Sequence, residues 1–153
     1  MKKLLLAPTV VVVCFAAVLQ CGCSTTARPA GAGTDIGATA ANAGDAVLGR
    51  AFAERTSDVE VEGQGTVTEL LTDDTNGSRH QRFIVKLASG QTLLIVHDND
   101  IASRVGSLQV GDTVSFKGEY VWNAQGGLIH WTHHDPTGSH VAGWSKHNGQ
   151  TYQ

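Results

Sequence analysis

Four of the seven histidines stand in one short stretch, His130-Trp131-Thr132-His133-His134-Asp135-Pro136 and then His140. The other three are His80, His97 and His147. Imidazole has an unperturbed pKa near neutral pH, and its neutral form is the commonest side-chain ligand for transition metals. The stretch therefore points to two kinds of chemistry. One is a divalent metal such as zinc, held by imidazole and carboxylate. The other is general acid/base work by a histidine, with or without a metal.

Strand geometry limits the metal reading. Side chains on a strand alternate faces, so two ligands from one strand need the spacing i, i+2. The chain contains no His-x-His. His130 and His134 share a face but stand about 13 Å apart at about 3.3 Å per residue. Metal bonds of about 2 Å cannot bridge that gap. A site must draw on a neighbouring strand, through His80 or His97, or on a loop. His133, Asp135 and His140, in a loop shaped by Pro136 and Gly138, form the candidate metal set.

A hydrolase reading uses the same residues. His130 or His133 would serve as acid/base beside His80 and Arg82 on an adjoining strand, and Arg79 with Arg82 could clamp an anion. His130-Trp131-Thr132 is a single His-x-Thr element. Two-histidine phosphoesterases need two, which excludes membership. There is no Gly-x-Ser-x-Gly element and no nucleotide-binding glycine loop. Asp73-Asp74, just before Asn76-Gly77, reads as a solvated turn. Trp122, Trp131, Trp144 and Tyr120 crowd the second half, as in small barrels that hold flat ligands on an aromatic face. Periodicity assigns Trp122 to the core and leaves Trp144 to line a surface.

The elements that position these residues follow from the rest of the chain. Lys2 and Lys3 precede an apolar stretch over residues 4–19, interrupted by Pro8 and Thr9. It is too short and broken to span a membrane and suits an export signal over residues 1–22. The sequence Gln20-Cys21-Gly22-Cys23-Ser24 resembles a bacterial lipoprotein cleavage site, with Cys23 as the lipidated residue. Ser24 in place of Asp fits outer-membrane delivery in a host with two membranes. A secreted protein, cleaved and released, is the alternative. Cys14 and Cys21 lie in this leader and Cys23 follows it directly, so the chain beyond Cys23 has neither disulfide nor thiolate.

Residues 23–56 are rich in Ala, Gly and Thr and read as a flexible tether, spanning roughly 25–30 Å on average. Asp45 as a cap, with Val47, Leu48 and Phe52 on one side, allows a short helix over 45–55, which Gly49 weakens. Residues 57–153 carry six basic against eleven acidic side chains, a formal −5 with histidine neutral. That balance argues against duplex nucleic acid as a partner.

Within 57–153 the apolar period is two. Phe83, Val85 and Leu87 share a face, Ser89-Gly90 turns the chain, and residues 91–97 return. Residues 100–108 connect, with room for one helical turn. Val114, Phe116, Gly118, Tyr120 and Trp122 then align, residues 128–133 pair back after the Asn123-Ala124-Gln125-Gly126-Gly127 turn, and Asn148-Gly149 closes a last hairpin. The expected fold is all-β, a small OB-like Greek-key barrel, partly open, with a β-sandwich as the alternative.

Gly65-Thr66-Val67, Gly77-Ser78-Arg79-His80-Gln81-Arg82-Phe83, Ser89-Gly90-Gln91, Gly118-Glu119-Tyr120, His130-Trp131-Thr132-His133 and Gly143-Trp144 together resemble an exported bacterial family, domain of unknown function 3465. The resemblance covers roughly residues 57–153. It implies no established activity. The combined reading is a lipid-anchored binding or structural domain facing the periplasm. Its small or oligomeric envelope ligand would meet His80, Arg82, His130, Thr132, His133, His134 and Trp144. The alternative is a metal-assisted or histidine-dependent hydrolase of a phosphoester or envelope substrate.

Overall fold

The computed structural model describes residues 36–153. The expected signal peptide, Cys23 and the start of the tether lie outside the described residues. In chain order the elements are α1 (Ile36–Glu54), β1 (Val59–Leu70), β2 (His80–Lys86), β3 (Thr92–Asp98), β4 (Thr113–Val121), β5 (Leu128–His130), β6 (Trp144–His147) and β7 (Gln150–Tyr152).

Alternation builds the strands. Phe83 and Val85 on β2, Leu93 and Ile95 on β3, and Val114, Phe116 and Tyr120 on β4 all turn inward and are fully buried. Closure depends on β1, which is 12 residues long and shifts register between Val67 and Glu69. Its first part pairs with β4, from Val59↔Tyr120 to Thr66↔Thr113. Its second part pairs with β2, ending at Leu70↔Phe83. The bulge supplies the bend that lets one strand serve two neighbours. β2 and β3 form an antiparallel hairpin, β3 and β5 are parallel, and β5 returns antiparallel to β4. The five strands close in the order β1-β2-β3-β5-β4-β1. This is the expected small OB-like barrel, fully closed rather than partly open. The β6–β7 hairpin extends from the free half of β4, with Lys117 opposite Trp144.

The helix differs from expectation. It runs from Ile36 rather than 45, and it belongs to the barrel domain rather than to a tether. Leu48 is fully buried and Ala51 nearly so, in the same core cluster as Val61 and Phe116. Asp45, expected as a cap, sits inside the helix, and its Oδ2 accepts the Ser89 N–H of the β2–β3 turn at 3.0 Å. Trp122 Nε1 donates to the Phe52 carbonyl at 3.1 Å. Burial against β1 stabilises a segment whose own helical propensity is weak.

Residues 99–112 link β3 to β4 without a regular element. One turn closes where the Ala102 N–H donates to the Asp98 carbonyl at 3.1 Å. The buried Gln81 side chain grips the main chain of Val105, donating to its carbonyl at 3.2 Å and accepting its N–H at 2.9 Å.

Leu48→Ala is expected to cost about 2–5 kcal/mol, read as a lowered urea midpoint. An unchanged midpoint would show that the helix is not part of the core.

Candidate functional site: a histidine cleft at one barrel end

The start of β2, the end of β3 and the end of β5 meet at one end of the barrel, because β2 runs against β3 and β5 runs with it. Beneath that end lies a buried strut. His97 points into the core and is fully buried. Its Nε2 faces the Ser103 carbonyl at 3.1 Å, and its Nδ1 faces Thr132 Oγ1 at 2.9 Å. A carbonyl only accepts, so Nε2 carries the proton and the Thr132 hydroxyl donates to Nδ1. One neutral imidazole thus ties β3, the 99–112 link and the chain beyond β5.

That chain turns where a strand was expected to continue. β5 stops at His130 rather than 133, because Trp131 adopts φ 53°. A bulky residue seldom occupies the left-handed region. The indole is held by imidazoles: His140 stacks on it at 3.8 Å between centroids, with His133 at 5.4 Å and His130 at 6.0 Å. The expected alternation of faces along 130–133 is therefore broken. Thr132 and His133 are both buried.

Two glycines admit this path. A Cβ on Gly118 would stand 2.2 Å from the His130 carbonyl oxygen, and one on Gly143 would stand 2.0 Å from that of Trp131. The Gly143 N–H donates to the His133 carbonyl at 2.9 Å, so residues 131–143 leave and rejoin β4 at nearly one place.

His80, Val96, Asp98, Ile101, His130, Trp131 and His133 line a cleft of about 120 Å³. His80 stands opposite Asp98 in the β2–β3 ladder, with Nε2 3.6 Å from Oδ2. Asp98 Oδ1 accepts the Asp100 N–H at 2.8 Å. His133 Nδ1 donates to the His134 carbonyl at 2.7 Å, which leaves Nε2 as a lone-pair acceptor. His130 Nε2 donates to Glu119 Oε1 at 2.9 Å, and His140 Nδ1 lies 4.0 Å from Oε2 of the same carboxylate.

The candidate residues divide accordingly. His80, His130 and His133 share the cleft. Thr132 lies below it, bonded to His97. His134 is exposed and lends its carbonyl. Arg82 gives Nε and Nη2 to the Thr72 carbonyl at 3.0 and 2.8 Å, and Arg79 pairs with Asp100. Trp144 sits on β6 under the Lys146 ammonium at 3.8 Å.

His133, Asp135 and His140 do not meet. The Asp135 carboxylate accepts Thr137 N and Oγ1 at 2.8 Å each, His140 N at 2.7 Å, and Ser139 N. These donors hold its pKa well below the usual carboxylate range, the Thr137 N–H foremost. Among the described residues no three His, Asp or Glu side chains already converge as a metal site.

Sequence reasoning missed Asp98 and Glu119. The signal for Asp98 was present: nine residues either side of Ser89 in the hairpin are His80 and Asp98. Glu119 needed the β4–β5 register, which sets it opposite His130.

The family model described as "Protein of unknown function (DUF3465)" matches residues 33–153. The chain belongs to this family. The match takes in α1 as well as the barrel, and so reaches further than the resemblance at 57–153. No curated protein matches the chain.

Two pH effects follow for this DUF3465 domain. Burial lowers the His97 pKa from 6.5. The unfolded chain therefore takes up a proton that the fold refuses, and stability falls as pH drops from about 6.5 towards the lower folded value. His97→Gln is expected to be less stable at pH 7 and to show a shallower loss between pH 7 and 5 in urea titrations; equal slopes would contradict this. Asp135 acts at lower pH. Its bonds are intact above the unfolded carboxylate value and are lost as pH falls through the depressed one. Hydrogen exchange should show the amides of Ser139 and His140 protected at neutral pH and unprotected in Asp135→Ala. Unchanged protection in that variant would refute the role.

Proposed function

We propose that this protein is an exported, Cys23-anchored binding module of the cell envelope whose ligand site is the histidine cleft. One observation carries the reading. Four polar side chains from separate strand ends and a loop, His80, Asp98, His130 and His133, line one small cleft, while the polar groups beneath it, His97 and Thr132, are spent on each other. Imidazoles that can both donate and accept, two of them half-buried and His133 buried, suit a polar, uncharged group of a small or oligomeric envelope ligand. Ile101 and Val96 add an apolar contact. The acidic balance still speaks against duplex nucleic acid. A hydrolase is less well supported, because it calls for a free anion clamp while Arg79 and Arg82 are engaged by Asp100 and Thr72.

The test is a titration of tryptophan fluorescence with oligosaccharides and peptidoglycan fragments. A saturable change is expected, weakened at least tenfold, about 1.4 kcal/mol, by His80→Ala. No response to any member would overturn the reading. Mass spectrometry should find a diacylglycerol-modified Cys23 at the mature N-terminus; an unmodified start beyond Cys23 would refute the anchor.

A further inference from the structure

We infer that a second pocket, formed by the end of β1, by β2 and by the 99–112 link, takes an apolar carboxylate: a short hydrocarbon chain ending in a single negative charge. This site is separate from the histidine cleft and does not depend on it.

The first support is the Arg82 guanidinium. Arg82 lines this pocket and not the cleft. Its Nε and Nη2 donate to the Thr72 carbonyl at 3.0 and 2.8 Å, which fixes the plane of the fork. A neutral carbonyl leaves the positive charge unbalanced. Among the described residues Arg82 pairs with no carboxylate, whereas Arg79 pairs with Asp100 and Arg104 with Asp73. A guanidinium has more N–H donors than one carbonyl can take. The edge formed by Nη1 and the second Nη2 hydrogen stays open, and that edge matches the two oxygens of a carboxylate.

The second support is what surrounds this charge. The pocket encloses about 210 Å³. Leu70, Leu71, Val105 and Leu108 line it together with Arg82 and Arg104. Leu70 is 46% exposed, an unusual amount for a large apolar side chain beside a cation. Leucine gains by leaving water, and a cation gains by meeting an anion. A hydrocarbon chain with a terminal carboxylate meets both needs at once. Only one charge in the pocket is unbalanced, and the barrel domain is acidic overall, so a monoanion suits it better than a phosphate dianion.

The third support is rigidity. Two walls are tied to neighbouring residues of β2. The Leu71 N–H donates to the Arg82 carbonyl at 3.0 Å. The Gln81 side chain holds the Val105 main chain at 3.2 and 2.9 Å. The pocket is therefore shaped before a ligand arrives, and binding does not have to order a loop.

The experiment is calorimetric titration of the full chain with octanoate, with acetate and octyl glucoside as controls. A single octanoate per chain is expected. Acetate lacks the chain and octyl glucoside lacks the charge, so each should bind about tenfold more weakly or worse. Arg82→Gln and Leu70→Ser should each weaken octanoate by about tenfold or more. Thermal melts of both variants show that they fold, and Leu70→Ser, at an exposed position, carries the test if Arg82→Gln does not. His80→Ala should leave octanoate binding unchanged. Octanoate binding indifferent to Arg82 and Leu70 would overturn the assignment, as would its absence. Equal binding of acetate or of octyl glucoside would overturn it too. Loss of octanoate binding in His80→Ala would move the carboxylate to the histidine cleft and so remove the second site.

Discussion

The bond between His97 and Thr132 is the contact on which the functional end of the barrel depends. An imidazole and a hydroxyl, both fully buried, would each cost free energy if left unpaired there. They satisfy one another, and the Ser103 carbonyl takes the remaining N–H. The result is a polar strut inside an apolar core, joining three segments far apart in sequence. Thr132 held in this way fixes where the chain goes after β5. Trp131 must then turn through the left-handed region, and His133 follows with its ring facing the cleft. The strain at Trp131 is offset by the His140 ring stacked on it and by the Gly143 N–H that clamps the chain at His133.

Architecture and site share a logic. A parallel β3–β5 pair brings the ends of two strands to the same end of the barrel, and the antiparallel β2 begins there. Those strand ends deliver His80, Asp98 and His130. β4 contributes from the other side, because one of its edges is divided between β5 and β6 with Gly118 at the division. Glu119, next in sequence, then reaches His130 and approaches His140. The cleft is a consequence of closure order more than of any single motif.

Much of the barrel was legible because burial imposes a period of two, and because Ser89-Gly90 and Asn148-Gly149 mark their turns. Closure between β1 and β4 and the parallel pairing of β3 with β5 are long-range and leave no local trace. Helix α1 is legible in its second half, where Val47, Leu48 and Phe52 share a side and Leu48 enters the core; the Ala- and Gly-rich turns before that half carry no large apolar residue beyond Ile36 to mark them. The histidines were legible as chemistry, but their grouping was not. Strand arithmetic was sound for a continuing strand, and it failed at Trp131, whose left-handed backbone no residue-type rule foretells. Asp135 has the type and neighbours of a metal ligand, while its geometry makes it the knot of its own loop.

This end of the barrel fixes two imidazoles in opposite tautomers. His97 carries its proton on Nε2 beneath the cleft, and His133 carries its proton on Nδ1, presenting a bare Nε2 to the cleft. Long-range nitrogen-15 spectra of the histidine rings at neutral pH measure this directly. An Nε2–H pattern is expected for His97 and an Nδ1–H pattern for His133. An Nε2–H pattern for His133 would contradict this, since that nitrogen would then have no lone pair to offer a ligand.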